Sequence, residues 1–539
     1  MKTITHWASA TLITTLFSSL AQGNICVELN LPPHEDFTFN DVIDIPSIDG
    51  VTIDANLFTP TSEPGPNGFP TIIFVNSWVL EEHEYIVQAA QFAQKGYQVL
   101  SYSARGWGCS GGLIDVVGPK DMQDLNAIVD WLQANTAADM DNIGISGISY
   151  GSGISLMGLA HEPRIKTAVA MSTWGSLQDS LYNQESPNLV WGGLLVSTGY
   201  ITGTMNPEIT ENFGNLITHQ NIDETISWAA KRSPGNAVEL INERNAPVYL
   251  ANNFADHLFN VNQIMKFYQQ LDVPKRLDIN QGTHASGEGF GLIGLNNYTW
   301  SNAHDWFDYW LKGEDNGMMA RAPVTMLRDL SDQREEYTDL PVPGATATTF
   351  YMGPRTWFSQ GELRETPYSS WFSINNSIAS GLDSGATTGI PLLSPLLDQF
   401  KIPVKASIPL INRIHGMVYQ TDRLSETMKI RGIPELTLNL SSSGSKMQLI
   451  GYLYDVDAWG MGTLITHGPV TLHEATPGKR TSVDFELLAA SYDVPEGHRL
   501  AVAFDTLDLL YSPPTLAPYS VTFKHSKSFQ STLRIPTVD

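Results

Sequence analysis

Ser149 stands in the pentapeptide Gly147-Ile-Ser149-Tyr-Gly151. A serine hydroxyl is a weak nucleophile near neutral pH and attacks a carbonyl only when a positioned base takes its proton. The same Gly-x-Ser-x-Gly pattern recurs at Gly108-Cys-Ser110-Gly-Gly112, so spacing alone does not choose between the two serines. Neighbouring Ser146 has Ile148 where the second glycine is needed, and Ser152 has Tyr150 where the first is needed. A nucleophile elbow needs a strand, a tight turn and a helix in immediate succession, which exposes the hydroxyl at the sheet edge. Ser149 follows an apolar strand pattern at Ile143 and precedes a helical pattern from Tyr150 to Glu162, whereas Ser110 sits in a Gly-rich loop with no helix directly after it.

In an elbow fold the carboxylate and the imidazole follow later in the chain, in that order, on loops after strands. Pro247 to Asp256 reads as a strand ending in a loop carboxylate, and Arg276 to His284 as a strand ending in a loop histidine. Ser149, Asp256 and His284 are therefore the expected catalytic triad. His257 and Asp278 are the rivals, and Asp278 falls inside its strand rather than beyond it. An oxyanion needs two preplaced donors. One is expected from the backbone amide of Tyr150; the second is expected from Trp78, in Val75-Asn-Ser-Trp-Val79, through its backbone amide or its indole.

The elements that would hold these groups alternate. Val51, Ile53, Ala55 and Leu57 form a half-buried strand pattern, and Thr71 to Val75 is a continuous apolar run suited to a strand covered on both faces. Helical periodicity over Ile86 to Lys95 ends at Gly96, before a further strand at Tyr97 to Tyr102. Met122, Leu125, Val129 and Leu132 recur at helical spacing, and Thr167 to Met171 is another strand. Such alternation predicts an α/β fold with a parallel sheet, an α/β hydrolase core. Residues 180 to 245 interrupt it with an aromatic-rich helical insertion, a cap over the strand ends. Beyond Leu340-Pro-Val-Pro-Gly344 short alternating runs and Ser-, Gly- and Pro-rich turns predict an all-β sandwich. The expected division is a leader over 1–21, a hydrolase domain over 22–340 and a β domain over 345–539.

Within the 539 residues, 42% are hydrophobic and 16% charged, enough for a large core. A net charge of -25 disfavours nucleic acid and anionic lipid as partners. Lys2, a mildly apolar run from Trp7 to Leu20 and small residues at Ser19 and Ala21 read as a secretory signal peptide; the run is too short and too rich in Ser and Thr for a membrane anchor. A secreted or periplasmic protein is expected. Only Cys26 and Cys109 are present, which excludes a cysteine-based zinc site and leaves one disulfide open. No histidine pair has helical ligand spacing with an acidic neighbour, so neither metal nor organic cofactor is expected.

Taken together, Ala104-Arg-Gly-Trp-Gly-Cys-Ser-Gly-Gly112, Asp130-Trp131-Leu132, the Ser149 elbow, Arg232-Ser233-Pro234, Asp256, His284, Trp306-Phe-Asp-Tyr-Trp-Leu-Lys-Gly313 and Val418-Tyr-Gln-Thr-Asp422 resemble the CocE/NonD serine hydrolases. This is the cocaine esterase and Xaa-Pro dipeptidyl-peptidase (S15-like) group. Gly497-His498-Arg499-Leu500 resembles part of its C-terminal jelly roll. The resemblance implies the same triad, a helical cap, and a substrate that is an ester, an amide or a short peptide. Members commonly carry a tyrosine hydroxyl as second oxyanion donor, where this sequence has Trp78, and a glycine where it has Asn252-Asn253. An ester or amide hydrolase is the leading expectation and an Xaa-Pro dipeptidyl-peptidase the alternative. The latter needs a cap carboxylate for the substrate ammonium, with Glu185, Glu208, Glu211, Asp223 and Glu224 as candidates. A non-catalytic binding protein using the β-sandwich is the reading from another class.

Overall fold

The computed structural model describes residues 27–539, so the expected leader lies outside the described residues. Ten strands form the first sheet: β1 (Phe37–Pro46), β2 (Thr52–Pro60), β3 (Phe69–Val75), β4 (Gln98–Tyr102), β5 (Ala138–Ile148), β6 (Ile165–Met171), β7 (Val248–Asn253), β8 (Lys275–Asn280), β9 (Val324–Leu327) and β10 (Arg334–Tyr337). Their order is β1-β2-β4-β3-β5-β6-β7-β8-β9-β10. From β4 to β9 every neighbouring pair is parallel, and the remaining pairs at the two edges are antiparallel. β3 and β5 carry continuously buried stretches, Thr71–Val75 and Ile143–Ile148, because both faces are covered, as for a central parallel strand. The fold is an α/β hydrolase, as the alternation predicts; β1 is an edge strand that the sequence pattern did not reveal.

Three helices of the core matter for the site. Helix α1 (Ile86–Gln94) follows the loop after β3, α2 (Pro119–Asn135) precedes β5, and α3 (Tyr150–His161) leaves β5 directly. Close approach of α3 to the sheet is permitted by glycine: a Cβ on Gly151 would lie 2.0 Å from the Val75 carbonyl oxygen, and one on Gly147 would lie 2.5 Å from the Gly151 carbonyl carbon. The cap contains α4 (Leu189–Thr202), α5 (Pro207–Thr218) and α6 (Ile222–Ala230). Each side chain of Asn188 and Asn206 caps the helix it precedes, accepting from Trp191 N–H and Glu208 N–H.

A second, 14-stranded all-β sheet system runs from Thr346 to Val538, as the alternating runs beyond Gly344 predict. Its interior is a separate apolar cluster that includes Leu436, Leu449, Phe485, Phe504 and Phe523. The two parts meet through buried polar contacts. Asn262 donates from Nδ2 to the Leu487 carbonyl (2.9 Å) and accepts from Ala489 N–H (2.7 Å). Leu189 N–H at the start of α4 donates to the Leu510 carbonyl (2.9 Å), so the β domain also buttresses the cap. Among the described residues, no helix is long and apolar enough to cross a membrane.

Candidate active site

Ser149 is the residue between β5 and α3, with φ 55° and ψ −118°. A non-glycine residue at such a φ is costly and persists only where its surroundings fix it. Here they do: Ser149 N–H donates to the Met171 carbonyl (2.9 Å), and the two flanking glycines admit the backbone crowding described above. The turn leaves the Oγ facing His284, whose Nε2 lies 2.7 Å away. On the other side of the ring, Nδ1 is 2.8 Å from Asp256 Oδ2.

Asp256 is fully buried, which would be unfavourable for a charge without partners. Its Oδ1 accepts from Leu258 N–H (2.9 Å) and Phe259 N–H (2.8 Å), leaving Oδ2 for the imidazole. That division fixes the ring: with Nδ1–H directed at the carboxylate, Nε2 is the acceptor for the serine proton. Trp191 and Phe259 press edge-on against the imidazole, with centroids at 5.6 and 5.0 Å. Asn188 reinforces the arrangement, because it caps α4 through Oδ1 and donates from Nδ2 to the His257 carbonyl (2.6 Å), next to Asp256.

The rivals have other occupations. Asp278 sits within β8, paired with Arg276 at 2.8 Å and accepting from the Tyr249 and Thr325 hydroxyls. His257 packs edge-on against His467 (4.8 Å), and burial pulls its pKa down to about 3. Ser110 donates to the Ser103 carbonyl (2.6 Å) and receives Asp54 N–H, which makes it a loop fastener.

The oxyanion expectation divides. Tyr150 N–H is the first amide of α3, an orphan donor beside Ser149. Its phenol is turned away, donating to Asp121 Oδ2 (2.9 Å). For Trp78 the structure corrects the indole alternative: Nε1 donates to the Leu195 carbonyl (3.1 Å) and to Thr198 Oγ1 (3.2 Å) on α4. The backbone N–H of Trp78 donates no hydrogen bond to the protein among the described residues and is the second candidate. Trp107, from the Gly-rich loop, meets the Trp78 ring edge-on, with centroids 4.7 Å apart.

Two buried carboxyl groups escaped the sequence reading. Glu84 receives Ser77 N–H (2.6 Å) and the Ser77 hydroxyl (2.7 Å), pinning the loop just before Trp78. Burial pushes its pKa up to about 7 despite those bonds. Glu288 lies behind the histidine loop; its Oε2 accepts from Ser172 Oγ (3.1 Å), which in turn accepts from Ala285 N–H (3.0 Å). Burial again raises the pKa to about 7. Spacing marks neither residue: Glu84 pairs with Ser77 across an irregular loop, and Glu288 meets Ser172 from 116 residues away.

Residues 49–286 match the family profile described as X-Pro dipeptidyl-peptidase (S15 family), and residues 316–535 match that of the X-Pro dipeptidyl-peptidase C-terminal non-catalytic domain. A relative from Bacillus cereus named "Putative Xaa-Pro dipeptidyl-peptidase" is 20% identical over 482 residues, covering 81% of this chain and 75% of that one. A CocE/NonD family hydrolase from Staphylococcus aureus superposes with a TM-score of 0.73 at 13% identity, over 93% of this chain and 94% of its own. The chain carries both modules of an S15-like hydrolase, the catalytic-domain profile and the C-terminal one. An α-amino acid ester hydrolase shares the hydrolase's fold, with a TM-score of 0.73, 15% identity, and coverage of 94% and 98%.

Elsewhere in the hydrolase, Asp41, Glu82 and His83 bring potential ligand atoms within 4.8 Å of one another. Burial opposes a charge on His83, but hydrogen bonds to Asp41 and Glu81 outweigh it and raise the pKa to about 10. The imidazolium itself supplies the positive charge that these carboxylates require, and the group ties β1 to the turn after the Trp78 loop. Cys109 is disulfide-bonded, and the other cysteine, Cys26, lies outside the described residues.

Proposed function

We propose that the protein hydrolyses an ester or amide bond through an acyl-enzyme, with Ser149 as nucleophile, His284 as general base and acid, and Asp256 as the group that orients and stabilises the imidazolium. The observation that carries this reading is the 2.7 Å contact between His284 Nε2 and Ser149 Oγ, in line with the 2.8 Å contact to Asp256. Ser149 Oγ bonds to the carbonyl carbon as its proton passes to Nε2. The tetrahedral oxyanion is received by the backbone amides of Tyr150 and Trp78. Nε2–H then protonates the leaving oxygen or nitrogen as its bond to carbon breaks. Water repeats the sequence, releasing the acid and restoring the serine.

The names of the relatives favour a second reading, Xaa-Pro dipeptidyl-peptidase activity. Parallel assays with p-nitrophenyl butyrate and Ala-Pro p-nitroanilide separate the two. Faster turnover of the ester, lost in Ser149→Ala, is the expected outcome; preferential release of Ala-Pro would establish the second reading. Turnover of either substrate that persists in Ser149→Ala would contradict the assignment of the nucleophile.

Export is part of the proposal. The leader pattern at residues 1–21 supports it, and so does a disulfide at Cys109, since such bonds persist in oxidising compartments. Expression with the native leader should yield a mature N-terminus near residue 22 outside the cytoplasm, and retention of an uncleaved chain in the cytoplasm would refute export.

A further inference from the structure

Beside Ser149 a cavity opens under the cap, with about 900 Å³ of space including its mouth. Ser149, Tyr150 and Trp78 border it, and His284 does not. This placement assigns the two halves of the substrate. The leaving group must lie where His284 Nε2 can protonate it, so the space bordered by the oxyanion loop and not by the histidine belongs to the acyl group.

The walls of that space are apolar: Leu177, Leu195, Val196, Ile209, Phe213 and Leu216 contribute to them. Among the described residues, no Asp, Glu, Lys, Arg or His lines the cavity. The polar groups that do are largely engaged with the protein. Asn212 accepts from Thr225 Oγ1 (2.9 Å) and donates to the Glu208 carbonyl (3.0 Å), and the Tyr182 hydroxyl is held by His219 (2.8 Å). The Trp228 indole N–H has no partner, and it is a neutral donor that cannot receive an ammonium.

An α-ammonium buried in such a space would lack a counter-charge, which strongly disfavours its transfer from water. The five cap carboxylates named as candidates are all exposed and absent from the lining. Glu208, Asp223 and Glu224 instead border a separate outer depression, together with Lys231 and Arg232.

We propose that the site selects a neutral, bulky apolar acyl group, aliphatic or aryl-alkyl, and discriminates against acyl groups with a free α-ammonium. This rests on the acyl-enzyme reading and narrows its substrate class. A matched pair isolates the charge: methyl 3-phenylpropanoate and L-phenylalanine methyl ester, compared at pH 6, where the amine is mostly protonated. The wild-type protein should favour the deaminated ester by at least about tenfold in kcat/KM, and Ile209→Glu should shrink that ratio by placing a carboxylate in the wall. Val196→Phe, which fills the cavity, should depress turnover of the phenylpropanoyl ester while sparing p-nitrophenyl acetate.

Equal or greater turnover of the phenylalanine ester by the wild-type protein would overturn the proposal. So would a Val196→Phe variant with undiminished phenylpropanoyl turnover. Labelling of Ser149 by a fluorophosphonate, run alongside, tells the failures apart: labelled protein with the wrong preference sinks only the pocket assignment, whereas unlabelled protein without turnover sinks the acyl-enzyme reading as well.

Discussion

The indole of Trp78 donates to the carbonyl of Leu195, 3.1 Å away, and so ties the oxyanion loop to the first long helix of the cap. The side chain that sequence offered as an oxyanion donor is a tether instead. Trp78→Phe removes the tether and keeps the backbone amide. It should therefore lower kcat for a small ester by less than about tenfold, whereas loss of a true oxyanion donor costs on the order of 10²–10³. A loss in that larger range, with an unchanged melting temperature, would return the indole to the oxyanion site.

Asp256 uses its two oxygens for separate tasks, backbone amides on one side and the imidazole on the other. Asp256→Asn preserves the shape while replacing one acceptor with a donor, which favours the wrong histidine tautomer. The expected result is a fall in kcat on the order of 10³–10⁴ with the fold retained by circular dichroism. Retention of more than a tenth of the activity would show that Asp256 does not orient His284.

Much of this site was legible in the chain. The strand at Ile143, the glycines around Ser149 and the helix after it are local signals, and the order of Asp256 and His284 after successive strands follows from topology. What escaped was non-local. Trp191 reaches His284 from a cap helix, Glu288 reaches the histidine loop through Ser172, and the Trp78 indole chose a partner 117 residues away. β1 went unread because a register shift between Asn40 and Ile43 breaks its alternation into two short pieces.

Gly151 illustrates the local constraint at its most demanding. A methyl group there would lie 2.0 Å from the Val75 carbonyl oxygen, and backbone cannot yield as a side chain can. Gly151→Ala should destabilise the protein by about 3 kcal/mol or more, measured by urea unfolding. A change below about 0.5 kcal/mol would mean that α3 and β3 are not so closely packed.

Stability should depend on pH through groups of opposite sign. Burial pushes Glu84, Asp121 and Glu288 each up to about 7. Between unfolded values of about 3.9 for Asp and about 4.3 for Glu and that point, the folded chain keeps protons that the unfolded chain has released. Stability contributed by these groups therefore falls as pH rises through that window. His257, His304 and His467 are pulled down to about 3, so their contribution is present above about 6.5 and is lost as pH falls.

The two effects oppose each other below about pH 6.5; above it the carboxyl groups act together with His83, whose pKa is raised to about 10 and whose contribution likewise falls as pH rises. The melting temperature should decline from pH 6.5 to 8. Glu288→Gln, an uncharged isostere, should reduce the decline. A melting temperature that rises over this interval, or a variant that steepens it, would contradict the assignment.

The central claim is that Ser149 is the nucleophile and that His284 activates it. Its most direct measurement is mass spectrometry of the protein after treatment with a fluorophosphonate, with the modified peptide sequenced. One phosphonyl adduct is expected, on Ser149, absent in Ser149→Ala and formed at least about 100-fold more slowly in His284→Gln. An adduct on another serine, or an undiminished rate in the His284 variant, would contradict the account.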